Sequence, residues 1–290
     1  MARRRKTLSQ NFLHSPSALQ LVVRLAAPGT GDLVVEPGAG EGVLTRALAR
    51  RGCRIVAHEV DPALTARLRA RTRELPRVST VRGDFLRSRS PREPFAVVGN
   101  IPFSRTSDIV RWCLEAPELT SATLVTQLEY ARKRTGDYGR WSLLTVRTWP
   151  EYEWRLAARV ARRHFTPAPR TDCAVVRLER RAVPLLVPES LDAYREFTAY
   201  GFTGVGGSLF ATLRTRHPVR RVRAAFGALG LDEAVPVGEV SPALWLALFT
   251  SLHGHGAAHA PPAPGGGVTH RAGSAPRLPG SPRRRASRRG

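Results

Sequence analysis

Apolar and polar positions follow one another along the chain in blocks that predict strand, turn and helix in repeated order. Ser15-Pro16 supplies an N-cap and a first-turn proline, and Leu19, Val22, Val23 and Ala26 then recur on one helical face until Pro28-Gly29. Leu33 to Val35 is a short apolar run closed by Glu36-Pro37-Gly38-Ala39-Gly40-Glu41-Gly42, after which Val43, Leu44, Ala47 and Leu48 return to helical spacing up to Gly52. Arg54 to His58 reads as a second strand ending at Glu59-Val60-Asp61-Pro62. The helix after it carries Leu64, Leu68 and Leu75, which completes a strand-helix-strand unit.

The same rhythm continues. Val78 to Arg82 leads into Gly83-Asp84-Phe85, Phe95 to Val98 into Gly99-Asn100-Ile101-Pro102-Phe103, and Ala122 to Thr126 into Gln127-Leu128-Glu129. Near-continuous apolar strands alternating with helices predict a parallel sheet covered on both faces. Tyr152 to Val160 and Ala174 to Leu178 are two later strands that bracket His164-Phe165-Thr166-Pro167-Ala168-Pro169. From about Pro184 the spacing turns helical through Leu185, Leu191, Tyr194, Phe197 and Phe202, then Val222, Ala225, Phe226 and Leu229, then Leu244, Trp245, Leu248 and Phe249. A small second helical domain is expected there. Beyond His253 the Pro/Gly/Ala/Arg-rich stretch lacks the apolar content to pack, and disorder is expected.

Composition narrows the class. The 290 residues and 42% hydrophobic content suit one large α/β domain with an appendage. No run of about 18 apolar residues exists, and the basic start MARRRKTLSQNF has no apolar segment behind it, so a cytosolic protein without a membrane span is expected. Cys53, Cys113 and Cys173 lie far apart without metal-ligand spacing, which excludes a disulfide framework and a zinc site as expectations. Net charge is +23; the seven arginines after His253 removed, +16 remains on the rest. An excess of that size points to a polyanionic partner, with nucleic acid foremost. Nearly all of it is arginine, which in a chain this rich in Ala, Gly and Pro tracks GC-rich coding rather than function.

Ligands of open α/β sheets bind at the carboxyl ends of the strands, so the residues closing each strand form one set. The glycines from Gly38 to Gly42 allow close backbone approach, and Glu59 closes the next strand about 20 residues on, placed to accept from ribose hydroxyls. The acidic Glu36 and Glu41 would repel a pyrophosphate and suit a cationic sulfonium, which favours S-adenosylmethionine over a dinucleotide. Asp84 is placed to accept from the amine of the cofactor's adenine, with Phe85 over the ring; a turn residue and a helix cap are the plain alternatives. Adenine N6 is a poor nucleophile because its lone pair is delocalised. The Asn100 side-chain oxygen and the Ile101 carbonyl, exposed by Pro102, can accept both amino hydrogens and steer that lone pair, while Phe103 stacks on the base. An Asn-x-Pro loop with a core Phe is the structural alternative.

Taken in order, Ser9-Gln10-Asn11-Phe12-Leu13, Glu36 to Gly42 with Val43-Leu44-Thr45, His58-Glu59-Val60-Asp61, Gly83-Asp84-Phe85, Asn100-Ile101-Pro102-Phe103, Gln127-Leu128-Glu129-Tyr130-Ala131 and Phe165 to Arg170 resemble the ribosomal RNA adenine dimethyltransferase family. That family includes the Erm enzymes of macrolide resistance and the housekeeping 16S rRNA dimethyltransferases. The resemblance covers roughly the first 180 residues and implies a Rossmann-like class I S-adenosylmethionine-dependent methyltransferase sheet. It implies cofactor contacts from Asn11, Leu13, Gly38, Glu59, Asp84 and Asn100, joined by Glu36, Gly40 and Phe85 from the strand-end reading, with Phe103 and Phe165 around the target adenine. Phe103 departs from the more usual Tyr, and stacking survives the loss of a hydroxyl.

The opening motif, the glycine turn and the short Arg-rich C-terminal region are more similar to Erm enzymes of actinomycetes than to the housekeeping branch. A monomer acting on one adenine in the peptidyl-transferase loop of 23S rRNA is implied, with one or two methyl transfers compatible with the motif. A 16S enzyme or a non-catalytic nucleic-acid-binding relative are the rivals. The division expected is a basic arm and start of the cofactor site over 1–14, a catalytic domain over 15–181, a helical RNA-binding domain over 182–252 and a basic tail over 253–290. Arg3, Arg4, Arg5 and Lys6 of the arm, with Arg132, Lys133, Arg134 and Arg140, are the candidate phosphate contacts.

Overall fold

The apolar runs become the strands of one seven-stranded sheet in the computed structural model, which describes residues 11–254. Arg3, Arg4, Arg5 and Lys6, and the tail beyond Gly254, lie outside the described residues. β1 (Phe12–Leu13) precedes α1 (Pro16–Ala26), and then strands and helices alternate: β2 (Leu33–Pro37), α2 (Val43–Ala49), β3 (Arg54–Glu59), α3 (Pro62–Thr72), β4 (Val78–Arg82), β5 (Phe95–Asn100), α4 (Thr106–Glu115) and β6 (Leu119–Gln127). After α5 (Leu128–Thr135) and α6 (Leu143–Thr148) come β7 (Tyr152–Val160), β8 (Phe165–Thr166) and β9 (Cys173–Arg180). Four helices close the chain: α7 (Pro188–Gly201), α8 (Leu209–Leu213), α9 (Val219–Ala228) and α10 (Pro242–His253).

The sheet order is β4-β3-β2-β5-β6-β9-β7. The first five strands are parallel, as the apolar runs predict, but β9 inserts antiparallel between β6 and β7, so the sheet is mixed. The cause is the connection: no helix long enough for a parallel crossover stands between Val160 and Cys173, so the two strands pair head to tail. β1 stands apart and pairs with β8, Leu13 opposite Phe165. Neither this ribbon nor α6 is legible in the periodicity, each being too short to repeat.

One core fills each face of the sheet. α1 and α2 cover Val34, Ile55, Val98 and Val175 on one side, and α4 covers Val35, Val97 and Leu124 on the other. The third core is helical, built on Tyr194, Phe226, Trp245 and Phe249, and it takes in Val146 from α6. The Tyr194 hydroxyl donates to the Val146 carbonyl at 3.0 Å. The expected boundary at residue 182 therefore does not separate the cores, because the segment around α6 packs with the helical domain. Smaller corrections concern helix ends. α3 stops at Thr72, leaving Leu75 outside it, and its start is capped by Asp61, whose carboxylate accepts from Ala63 N and Leu64 N. Ser15 holds the N-cap position of α1 without a side-chain cap bond. His253 ends α10 rather than starting a tail, with Gly254 as its left-handed C-cap.

Gly42 starts α2 at φ +80°, and a Cβ there would stand 2.6 Å from Leu68 Cδ1. Gly42→Ala adds left-handed strain to overpacking, each worth about 1 to 3 kcal/mol. A stability loss of about 2 to 4 kcal/mol is expected from urea denaturation, and a wild-type midpoint would show that α3 yields freely.

Candidate active site

Four parallel strands end along one edge, and hydrogen bonds join their closing residues into a single floor. Ala39 N donates to the His58 carbonyl at 2.9 Å, and Gly40 N donates to Glu59 Oε2 at 2.8 Å. Glu59 Oε1 accepts from Asp61 N at 2.8 Å. The Glu59 carboxylate, in a residue only 1% exposed, thus clamps the glycine turn to the start of α3. Burial pushes its pKa up, opposed by the amide bonds from Asp61, Gly40 and Val60. Gly38 and Gly40 both have positive φ, and their missing Cβ atoms face Pro102 Cδ at 3.5 Å and Phe12 Cε1 at 3.2 Å. The left-handed φ favours glycine at both positions, and at Gly40 the approach of Phe12 adds a steric reason.

Glu36 lies beneath this floor, 2% exposed, its Oε2 accepting from Thr45 Oγ1 at 2.6 Å. Burial is the main cause of a pKa raised to about 8; the Thr45 bond opposes it and the nearby Glu59 adds to it. At neutral pH the neutral form of Glu36 is therefore favoured.

Asn100 closes β5. Its Nδ2 donates to the Asn11 carbonyl at 2.7 Å, and Asn11 Nδ2 in turn donates to the Pro167 carbonyl at 2.7 Å. A carbonyl can only accept, so the bond sets which end of the Asn100 amide faces which way. Its Oδ1 is left buried with no hydrogen-bond partner. Such an orphaned acceptor costs about 1 to 3 kcal/mol unless a donor from outside completes it. Ile101 is 2% exposed and packs its side chain into the second core, which fixes the loop between Asn100 and Pro102. Pro102 precedes a short turn, Phe103–Arg105, and Phe103 is half-buried against the first core.

Beside this loop, His58, Val60, Val81, Gly83, Asp84, Arg87 and Ser88 line a hollow of about 590 Å³. Val60 is 49% exposed, an apolar wall with nothing to cover it. Asp84 accepts from Leu86 N at 3.1 Å, and the Arg105 guanidinium stands 3.9 Å from its other oxygen. It is thus a turn cap that still presents a carboxylate to the hollow.

Two expected ring contacts are corrected. Phe85 is 5% exposed and packs against Trp112 at 4.3 Å between centroids, with His58 edge-on at 5.6 Å, so its ring turns into the core. Val60 and Val81 form the apolar walls instead; the signal was an exposed valine directly after Glu59. Phe165 is 3% exposed because β8 pairing alternates it inward and Thr166 outward, so it offers no ring face to a base. Leu13 is buried opposite it, a wall rather than a polar contact.

The basic cluster divides. Arg132 binds Asp137 and donates to the Tyr138 hydroxyl at 2.7 Å, and Arg134 donates to Ser142 Oγ at 2.9 Å with its guanidinium over Tyr130. Lys133 and Arg140 are exposed, Arg140 standing 3.9 Å from Glu239. Sequence reasoning missed Arg162, Arg163 and Arg170, all exposed around β8 and so beside Asn11. Among the described residues no group of His, Cys, Asp and Glu could hold a metal ion, no helix is long and apolar enough to cross a membrane, and the three cysteines are buried and unpaired.

Residues 1–253 match the family described as ribosomal RNA adenine dimethylase. An rRNA adenine N-6-methyltransferase of Streptomyces fradiae is 55% identical over 253 residues, covering 86% of this chain and 79% of that protein. The mycinamicin-resistance protein MyrB of Micromonospora griseorubida is 34% identical over 245 residues, covering 84% and 78%. The crystal structure of the 23S rRNA methyltransferase ErmE superposes with a TM-score of 0.82 at 47% identity, covering 84% of this chain and all of that one. With the strand-end residues assembled as described, the chain belongs to the ribosomal RNA adenine dimethylase family.

Proposed function

We propose that this protein transfers methyl from S-adenosylmethionine to N6 of one adenine in the peptidyl-transferase loop of 23S rRNA, in the cytoplasm, and so confers resistance to macrolides, lincosamides and streptogramin B. The observation that carries the reading is the buried, unpartnered Asn100 Oδ1. Its geometry calls for a donor, and an adenine amine supplies one.

The residues present fit the cofactor. Val60 and Val81 form apolar walls for a purine, Asp84 offers an acceptor for its amine, and Glu36 answers a positive sulfur. When bound, S-adenosylmethionine supplies an electrophilic methyl group on a cationic sulfur. The chain's own part is to position and polarise the base. Asn100 Oδ1 and the Ile101 carbonyl accept the two N6 hydrogens, which favours a pyramidal nitrogen whose lone pair is withdrawn from conjugation with the ring. Phe103 stacks on the base and offsets part of the few kcal/mol needed to take it out of its stack. Positive charge developing on N6 during methyl transfer would be stabilised by the two acceptors, and the N6 proton would then leave to water. No strong base is needed. Asn11 keeps Asn100 aligned throughout, as a positioning residue.

Labelled methyl from S-adenosylmethionine should appear at one N6-methylated adenine in protein-free 23S rRNA, and Asn100→Ala should lower kcat about 100-fold or more, the cost of one preorganised polar contact in a transition state. Labelling of 16S rRNA instead would assign the small-subunit reaction, and labelling of neither would overturn the reading. A second expectation concerns pH. A cation beside Glu36 favours its ionised form, so at pH 7 binding expels a proton. Cofactor affinity should therefore rise with pH up to about 8. S-adenosylhomocysteine, neutral at sulfur, should show a flatter slope, and Glu36→Gln should remove the difference. Calorimetric titration in buffers of different ionisation enthalpy reads this directly, and equal slopes for both ligands would remove Glu36 from the sulfur's surroundings.

A further inference from the structure

We propose that Tyr138 is a second stacking platform, taking an unpaired base that neighbours the target adenine in the substrate RNA. The inference rests on the reading of the substrate as a looped RNA. Tyr138 is the large aromatic left most open, 55% exposed, on the loop joining α5 to α6. An exposed ring usually moves freely, but this one is held. The Arg132 guanidinium lies over one face at 4.0 Å from the ring centroid and donates to its hydroxyl at 2.7 Å. Arg132 is itself fixed by Asp137, and Asp137 also meets Arg159 of β7 at 3.5 Å. The loop backbone is anchored as well. Gly136 and Gly139 take left-handed φ, the Trp141 ring packs where a Gly136 Cβ would stand, and Trp141 N donates to the Gly238 carbonyl at 2.6 Å.

The register places this ring near the site. Asn100, Val125, Val175 and Ala158 form one row across β5, β6, β9 and β7. Arg159 is the next residue of β7, so its backbone sits three strand spacings from Asn100, on the order of 14 Å along the strand-end edge, with Asp137 at the far end of its side chain. That is the reach of nucleotides flanking a flipped base. One face of Tyr138 is occupied by Arg132 and the ring is otherwise in solvent, with Lys133 and Arg140 exposed on the same loop and helix end. A rigid aromatic set among cations is the chemistry that binds an unpaired base and its phosphates. Arg132, expected as a phosphate contact, thus acts by stiffening the ring.

The test uses the full chain and a 23S hairpin carrying the target adenine, with 2-aminopurine placed in turn at each unpaired flanking position. Tyr138→Ala should raise KM for the RNA about tenfold with kcat within twofold, an unchanged melting temperature and unchanged S-adenosylmethionine affinity. One flanking 2-aminopurine quenched by the wild type should stay bright with this variant. Tyr138→Phe and Tyr138→Trp, which keep a ring, should hold KM within twofold. A wild-type KM and quench in Tyr138→Ala would overturn the inference alone. Equal damage from Tyr138→Phe would also overturn it, by showing that the hydroxyl tie to Arg132 is what matters. A wild-type protein that does not methylate the hairpin would overturn the substrate reading first, and this inference with it.

Discussion

The arrangement depends on one hydrogen bond, from Asn100 Nδ2 to the Asn11 carbonyl. Without it the Asn100 amide could turn over and satisfy its oxygen elsewhere, and the acceptor that the chemistry requires would be spent. The bond needs Asn11 held at the strand-end edge. Two features do so: Asn11 Nδ2 bound to the Pro167 carbonyl, and the pairing of β1 with β8. Segments from the N-terminus, the end of β5 and the connection between β7 and β9 therefore meet at one side chain. This explains why a two-residue strand pair, worth little by itself, belongs to the site rather than to the scaffold.

A second constraint is the density of the floor. Glu59 uses both carboxylate oxygens on backbone amides, so its first task is to clamp the glycine turn. Each oxygen retains a lone pair, which is the acceptor capacity that the proposed ribose contact would use. Glu36 answers differently. Deeper, with a single hydroxyl partner, it is held toward its neutral form. Burial raises the pKa of both carboxyl groups, but Glu59 is opposed by amide donors and Glu36 by a single hydroxyl.

Most of the sheet was legible because parallel strands buried on both faces leave unbroken apolar runs, and Leu33 to Val35 and Phe95 to Val98 are such runs. The reversal of β9 was not, since direction is set by the length of the connection and not by side-chain pattern. At the site, the polar residues Glu36, Glu59, Asp84 and Asn100 fall along one edge because strand ends are the places where a chain can leave the core. The aromatic residues were harder. Phe85 follows an Asp, Phe103 follows a Pro and Phe165 stands two residues before one, so they look alike in sequence and only packing distinguishes them. Trp112 claims Phe85, the pairing of Leu13 with Phe165 turns the latter inward, and Phe103 keeps an open side.

Charge had the same ambiguity. Arginine count says that an anion is bound, but an arginine engaged by a carboxylate has already used part of its field and its donors. Arg132 and Arg159 share Asp137, and Arg134 is drawn toward Ser142 and Tyr130, so these side chains shape the surface more than they attract RNA. Lys133, Arg140, Arg162, Arg163 and Arg170 remain exposed around the strand-end edge. Attraction at long range needs only net charge, whereas holding a single adenine against Asn100 needs contacts that do not move. Under the proposed reading the tied arginines serve that second need: by sharing Asp137 they stiffen the edge, while the more exposed cations supply the attraction.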